Sequence, residues 1–116
     1  MIIVRLPWPP KELSPNARVH WAKKAKAAQS YRQYACVLTL CEKGLHIEAN
    51  CLHLTFRPPD RRRRDLDNML ASIKAGIDGI ADALGVDDQH FSLRLERGEP
   101  TKGGEVVAVI TEGAEQ

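Results

Sequence analysis

Hydrophobic and polar residues alternate with two different periods along this chain, and the periods predict an ordered series of strands and helices. Ile2 to Leu6 alternates around β-branched residues and predicts a first strand that ends at Pro7. Trp21 to about Glu42 is rich in Ala, Lys, Gln and Leu without Gly or Pro, which predicts a helix. Ile47 to Arg57 alternates again and predicts the second strand.

The second half of the chain continues the pattern. Leu66 to Leu84 has apolar residues at helical spacing, and Phe91 to Glu99 and Glu105 to Thr111 read as two strands joined in a hairpin by a Gly-rich turn. The order βαβαββ predicts an α/β (α+β) fold with a mixed four-stranded sheet and both helices on one face. Gly76 and Gly79 weaken the second helix by about 1 kcal/mol each relative to Ala, so they indicate a close backbone approach to the sheet or to another subunit.

Length and composition limit the class of protein to which this chain can belong. A chain of 116 residues with 43% hydrophobic content predicts one domain, 1–116, that buries a single core. No stretch is long enough to span a membrane, and Met1 to Pro10 does not resemble a signal peptide. The three cysteines favour reduced, buried thiols and a cytoplasmic location. A zinc site would have to draw on Cys36, Cys41, His46 and Cys51, which lack CxxC or HxxxH spacing.

The formal charge of +2 conceals an uneven distribution. Residues 1–60 carry nine Lys and Arg against four Asp and Glu, whereas residues 61–116 carry eight against eleven. Four consecutive arginines, Arg61, Arg62, Arg63 and Arg64, lie where the basic half meets the acidic half. A modest net charge is compatible with nucleic-acid binding if the basic groups converge on one face.

The sequence RRRRDLDN, residues 61–68, places this arginine run directly before Asp65 and Asp67. Guanidinium groups neutralise phosphates, whereas the two carboxylates would repel them unless a divalent cation lies between carboxylate and phosphate. This combination predicts a metal-dependent nuclease. The alternative is that the arginines form a solvated loop and Asp65 caps the following helix, which explains neither four arginines nor the second aspartate.

Two further carboxylates, Asp87 and Asp88, follow the same helix at its other end. About eighteen helical residues at 1.5 Å rise separate the two ends by roughly 27 Å, so Asp88 cannot reach Asp65 within one subunit by helix geometry. A symmetric homodimer with antiparallel helices would bring them together, with Gly76 and Gly79 at the crossing. The alternative is a turn pair without a ligand role.

The chain resembles the RusA family of Holliday junction resolvases nearly end to end. The resemblance lies in LPWPP at residues 6–10, Asn16, PDRRRRDLDN at 59–68, VDD at 86–88 and TKGG at 101–104. The central block is long and specific, whereas LPWPP and TKGG alone would be weak.

This resemblance implies a homodimeric, Mg²⁺-dependent endodeoxyribonuclease that binds four-way DNA junctions and resolves them by paired symmetric nicks in recombination and repair, with Mn²⁺ as the alternative ion. It assigns the metal to Asp65, Asp67 and Asp88, with Asp87 beside them. The family pattern often has a lysine at the position of Ala71, and Lys74, three residues further on, is a possible substitute. The alternative for Lys74 is an ion pair with Asp78.

DNA-binding roles are expected for Arg61 to Arg64, for Lys102 beside the turn, and for Asn16 in the long Pro-rich loop that also carries Trp8. A catalytically silent DNA-binding module would use the same arginines, but bare carboxylates would weaken its hold on phosphates. A nucleotide-handling enzyme of another kind would need a phosphate-binding glycine loop, and neither GxxxxGK[ST] nor GxGxxG occurs.

Overall fold

The computed structural model describes residues 1–43, 51–87 and 91–111. Their order is β1 (Ile2–Pro7), α1 (Trp21–Lys43), β2 (Cys51–Arg57), α2 (Leu66–Leu84), β3 (Ser92–Arg97) and β4 (Glu105–Thr111), with a single 3-10 turn at Lys11–Leu13 between β1 and α1. The predicted fold class, with a mixed four-stranded sheet and two helices, is confirmed. The part of the second predicted strand before Cys51 lies outside the described residues.

The strand order across the sheet is β1-β4-β2-β3. β4 pairs antiparallel with both β1 and β2, and β3 pairs in parallel with β2. The predicted β3–β4 hairpin is therefore wrong. Each strand takes the place that its side chains favour: β4 is apolar and lies between two strands, whereas β3, with the sequence SLRLER, exposes most of its length at the edge.

One face of the sheet meets the helices. Alternate side chains of the three neighbouring strands β1, β4 and β2 are buried there, as the period of two requires: Ile2, Val4, Leu6, Val106, Ala108, Ile110, Leu52, Leu54 and Phe56. From α2, Ile73, Ile77 and Ile80 complete this core, and from α1 Tyr31 and Ala35 join it. The Tyr31 hydroxyl donates a hydrogen bond to the carbonyl of Pro7 at 2.5 Å, and burial raises its pKa.

Helix α1 packs directly on α2, and both glycines of α2 lie at this contact. A Cβ on Gly79 would overlap the carbonyl oxygen of Arg32, and one on Gly76 would stand 2.8 Å from the ring of Tyr31. The close approach predicted at the glycines therefore exists, but its partner is α1 of the same chain. Since both glycines are buried, the prediction that they line a crossing between subunits is wrong.

The three cysteines are less buried than the sequence predicts. All three thiols are free, but Cys41 is exposed and Cys36 and Cys51 are only half-buried, so the prediction of buried thiols is wrong. His46 of the alternative zinc set lies outside the described residues. Among the described helices, none is long and apolar enough to cross a membrane.

The glycine contacts predict that Gly→Ala substitutions in α2 destabilise the protein, the opposite of what helix propensity predicts. Helix propensity alone would make Gly→Ala stabilising by about 1 kcal/mol. We expect Gly79→Ala instead to lower the free energy of unfolding by about 1–3 kcal/mol, because its methyl group meets rigid backbone. Gly76→Ala, which meets an aromatic side chain, should cost less. Urea unfolding of both variants measures this, and stabilisation by Gly79→Ala would contradict the packing.

Candidate functional site

Three loops meet at one end of the sheet because β1, β2 and β3 all run toward it and β4 starts there. The register pairs Pro7 with Glu105, Arg57 with Glu105, and Phe56 with Arg97 at this end. The Pro-rich loop (8–20), the Arg loop (58–65) and the turn loop (98–104) are therefore neighbours. Parts of the sequence that are far apart converge on one surface.

Asp60 organises the Arg loop. Its carboxylate accepts a hydrogen bond from Nη1 of Arg64 at 2.9 Å and another from the backbone N–H of Arg62 at 2.9 Å. The hydrogen bond from Arg64, followed by that from the Arg62 backbone, lowers the pKa of Asp60. The Arg64 guanidinium also lies over the ring of Trp8, 5.5 Å from its centroid, within cation–π range. One guanidinium thus joins the Arg loop to the Pro-rich loop.

The turn loop is anchored to the same cluster. The backbone N–H of Thr101 donates to the carbonyl of Pro58 at 2.9 Å. Gly104 has φ of +74°, and a Cβ there would lie 2.9 Å from Cβ of Trp8 and 3.0 Å from Cδ of Pro59. Only glycine meets both conditions, the left-handed backbone and the close approach. The TKGG turn is thereby fixed against the other two loops.

Between the Pro-rich loop, the Arg loop and the start of α2 lies a cleft of about 740 Å³. Its walls combine aromatic and proline rings with guanidinium, amide, hydroxyl and carboxylate groups: Trp8, Pro9, Pro10, Lys11, Ser14, Asn16, Phe56, Pro59, Arg62, Arg63, Arg64, Asp65, Asn68, Met69 and Ser72. A second cleft of about 320 Å³ lies against the same Arg loop and is lined by Arg61, Arg97 and Glu99 among others. The arginine run forms a ridge shared by the two clefts.

The four arginines have different environments. Arg64 is the least exposed, with 19% of its side chain accessible, and is committed to Asp60. Arg61 and Arg62 are each 82% exposed and approach Glu99 and Asp60 only at 3.8 and 3.7 Å. Arg63 is exposed and, within the described part of the chain, has no hydrogen bond or ion pair. Three exposed guanidiniums remain available to an anionic ligand.

Asp65 and Asp67 lie at the start of α2, and both are exposed. Asp65 occupies the predicted N-cap position, but its carboxylate does not make the capping hydrogen bond. Within residues 1–43, 51–87 and 91–111, neither carboxylate has a hydrogen bond or ion pair. Their oxygens are therefore uncommitted, which suits Mg²⁺, an ion that usually takes one or two protein carboxylates and completes its shell with water or phosphate.

Comparison with known proteins decides the family. No protein-family model matches the chain. It is 47% identical to an uncharacterized protein of Xylella fastidiosa, over 91% of this chain and 73% of that protein. It is also 31% identical to the crossover junction endodeoxyribonuclease RusA of Enterobacteria phage 82 and to that of Escherichia coli K12, over 94% of this chain and 92% of each relative. The chain belongs to the RusA family.

The residues that the RusA resemblance pointed to are only partly brought together. Asn16, Arg62, Arg63, Arg64 and Asp65 line one cleft. Asp67 shares the first turn of α2 with Asp65 without lining the cleft. Among the described residues, no three His, Cys, Asp or Glu side chains are grouped closely enough to hold a metal.

Other predicted residues lie further away. Asp87 is exposed beyond the opposite end of α2, and Asp88 lies outside the described residues. Nζ of Lys74 lies 3.1 Å from Oδ1 of Asp78, so Lys74 forms the ion pair that was the alternative to a catalytic role. Lys74 lines neither cleft. Lys102 is exposed at the tip of the turn loop.

Sequence reasoning missed two residues that shape this site. Asp60 shows a local signal, because an aspartate accepts readily from the backbone N–H two residues later, and Arg64 follows at i+4. Arg97, whose Nη1 donates to the carbonyl of Arg64 at 2.6 Å, has no such signal. It reaches the Arg loop because β3 pairs in parallel with β2, whereas the sequence predicted that β3 pairs with β4.

The lowered pKa of Asp60 predicts a pH-dependent loop. A depressed pKa in the folded state means that the charged carboxylate stabilises the fold above about pH 4, and that this stabilisation is lost as pH falls through the folded-state pKa. We expect Asp60→Asn to change Trp8 fluorescence at pH 7, because Arg64, which lies over the Trp8 ring, loses its charged partner. The difference from wild type should vanish in acid.

The measurement uses a Trp21→Phe background, since Trp21 is 76% exposed and would add its own emission. Asp82→Asn is the matched control, because Asp82 is also bonded to an arginine, Arg32, and its pKa is also lowered; it should leave Trp8 emission unchanged. Equal spectra for Asp60→Asn and its parent at pH 7 would contradict the role of Asp60.

Proposed function

We propose that this protein is a Mg²⁺-dependent endodeoxyribonuclease that binds four-way DNA junctions as a homodimer and resolves them by paired symmetric nicks. The observation that carries the proposal is the pair of exposed, uncommitted carboxylates, Asp65 and Asp67, directly beside three exposed guanidiniums. Carboxylates and guanidiniums in one place suit a bound metal ion and a bound phosphate together. Membership of a family with members named crossover junction endodeoxyribonucleases supports the reaction type.

Asp65 and Asp67 would hold the cation, with Asp88 and the adjacent Asp87 supplied by the second subunit. Mn²⁺ satisfies the same oxygen donors and is a natural substitute. When bound, such an ion neutralises phosphate charge and lowers the pKa of a coordinated water. The protein's contribution is to keep the carboxylates of Asp65 and Asp67 free of other partners and close to the phosphate-binding surface.

Arg61, Arg62 and Arg63 would bind phosphates on both sides of the cut, a contact that positions the DNA without reading sequence. Arg64 serves differently, since its bonds to Asp60 hold the Arg loop in shape. Lys102 on the anchored turn loop would extend the cationic surface. Lys74, if it leaves Asp78, would add positive charge near the reacting phosphate.

The distance between the two acidic positions supports a dimer. α2 has 19 residues, so at 1.5 Å rise its ends are roughly 27 Å apart. A two-fold axis would place the Asp87 and Asp88 end of one subunit beside the Asp65 end of its partner, forming two equivalent sites. Two symmetric sites match two symmetric nicks. Because Gly76 and Gly79 are buried under α1, this interface must use another surface.

The first test compares cleavage of a synthetic four-way junction with that of linear duplex, in Mg²⁺ and in EDTA. We expect paired nicks on the junction only, in Mg²⁺ only. Asp67→Asn should retain junction binding and lose cleavage by at least about 100-fold, since it removes a charged ligand but preserves shape. Asp82→Asn, on the same helix but paired with Arg32, is the control and should cut normally.

Mixing two inactive variants tests the shared site. In a heterodimer of Asp67→Asn and Asp88→Asn subunits, one site carries both changes and the other is intact. We expect the mixture to recover single nicks but not paired ones. Binding without any cutting by the wild-type protein would instead indicate a silent module, and no recovery on mixing would place both aspartates in one subunit's site.

A second prediction concerns the exposed arginines. Arg62→Ala combined with Arg63→Ala should weaken binding to junction and duplex alike, and should reduce the slope of log affinity against log salt by about 1 for each phosphate that the variant no longer neutralises. The control is Arg94→Ala, an exposed arginine on β3 away from both clefts. An unchanged slope in the double variant would place these arginines away from DNA.

A further inference from the structure

We infer that the 740 Å³ cleft beside Asp65 binds a single unstacked nucleotide of the DNA, and that the side-chain amides of Asn16 and Asn68 read its base. This assignment rests on the proposed function, since it places a nucleotide next to the position of the cut. It goes further by giving the protein a base-specific contact, whereas the arginines contact only the backbone. The cleft would be the source of sequence preference at the cleavage site.

The size of the cleft fits one nucleotide. Pockets for small ligands span roughly 300–1,000 Å³, and this cleft of about 740 Å³ lies within that range. A duplex segment does not enter a space of this size. A base must therefore leave the stack to occupy it, which costs a few kcal/mol in a paired duplex and less where pairing is already disrupted. A junction held open at its branch point interrupts base stacking there, which would lower this cost.

The walls of the cleft suit the two parts of a nucleotide. Proline rings, Trp8 and Met69 line the cleft and give it apolar surface on which a flat base can lie. Arg62 and Arg63 line the same cleft, and Arg63 is exposed without an ion pair in the described part of the chain. A phosphate at the guanidiniums and a base at the apolar wall would occupy the cleft together.

Two amides give the cleft the means to distinguish bases. Asn16 is held in place because its backbone N–H donates to Oγ of Ser14 at 3.3 Å. Asn68 is half-buried in the first turn of α2, three residues after Asp65. Within the described residues, neither side-chain amide has a hydrogen bond. An amide presents a donor and an acceptor side by side, the pattern that reads a base edge through paired hydrogen bonds.

The first experiment detects the nucleotide without requiring cleavage. ¹⁵N NMR spectra of the full chain in EDTA are recorded with short single-stranded oligonucleotides that differ only in their central base. The side-chain amide signals of Asn16 and Asn68, assigned by their loss in Asn16→Ala and Asn68→Ala, should shift, and by different amounts for different bases. The signal of Gln33, exposed on α1, should not move. Absence of any shift at both asparagines would overturn the inference.

The second experiment measures base preference at the cut. Junctions randomised at the positions flanking the nick are cleaved in Mg²⁺, and the products are sequenced. The wild type should favour certain bases by about tenfold or more, the discrimination that one paired contact provides. Asn16→Ala and Asn68→Ala should flatten that preference, and Gln33→Ala should keep it.

The two experiments separate the inference from the proposed function. Junction cleavage with the same base preference in both asparagine variants would overturn the cleft assignment and leave the nuclease proposal standing. Base-dependent shifts of the two amides without any cleavage would support the cleft and overturn the nuclease.

Discussion

The position of β4 between β1 and β2 is the constraint on which the rest of this structure depends. Its apolar side chains need neighbours on both sides, and satisfying them displaces the polar β3 to the edge beyond β2. The chain must then cross the end of β2 to pass from β3 to β4. That crossing carries the turn loop onto the Arg loop, and the start of β4 brings both beside the end of β1.

Where these loops adjoin, one of the four arginines has a structural role and the other three stay exposed. Arg64 is held by Asp60 and covers Trp8, so the loop has a defined shape before any ligand binds. Preorganisation of this kind lowers the entropic cost of binding, because the guanidiniums need not be gathered by the ligand. Asp60 accepts the hydrogen bond of Arg64, while the carboxylate of Asp65 has no partner among the described residues.

Helix α2 runs from the Arg loop toward Asp87 and also packs against the core. Ile73, Ile77 and Ile80 face the sheet while Gly76 and Gly79 admit α1, so the helix is fixed on two sides. A rigid helix of this length separates the carboxylates at its ends by a set distance. In the proposed dimer, that rigidity would convert the two-fold symmetry of the protein into a fixed spacing between two cuts.

The sequence by itself determined the secondary-structure elements and the residue types that stand at the candidate site. The periods of hydrophobic residues predicted all four strands and both helices, with α2 and β4 at their observed bounds, and RRRRDLDN predicted that metal and phosphate bind at the start of α2. These signals are local, because spacing and residue type act within one element. Only the tertiary structure decided that β3 pairs with β2 in place of β4, that Gly76 and Gly79 receive α1, and that Arg97 supports the Arg loop. Each depends on which distant segments become neighbours, and that follows from the burial of all apolar surfaces together.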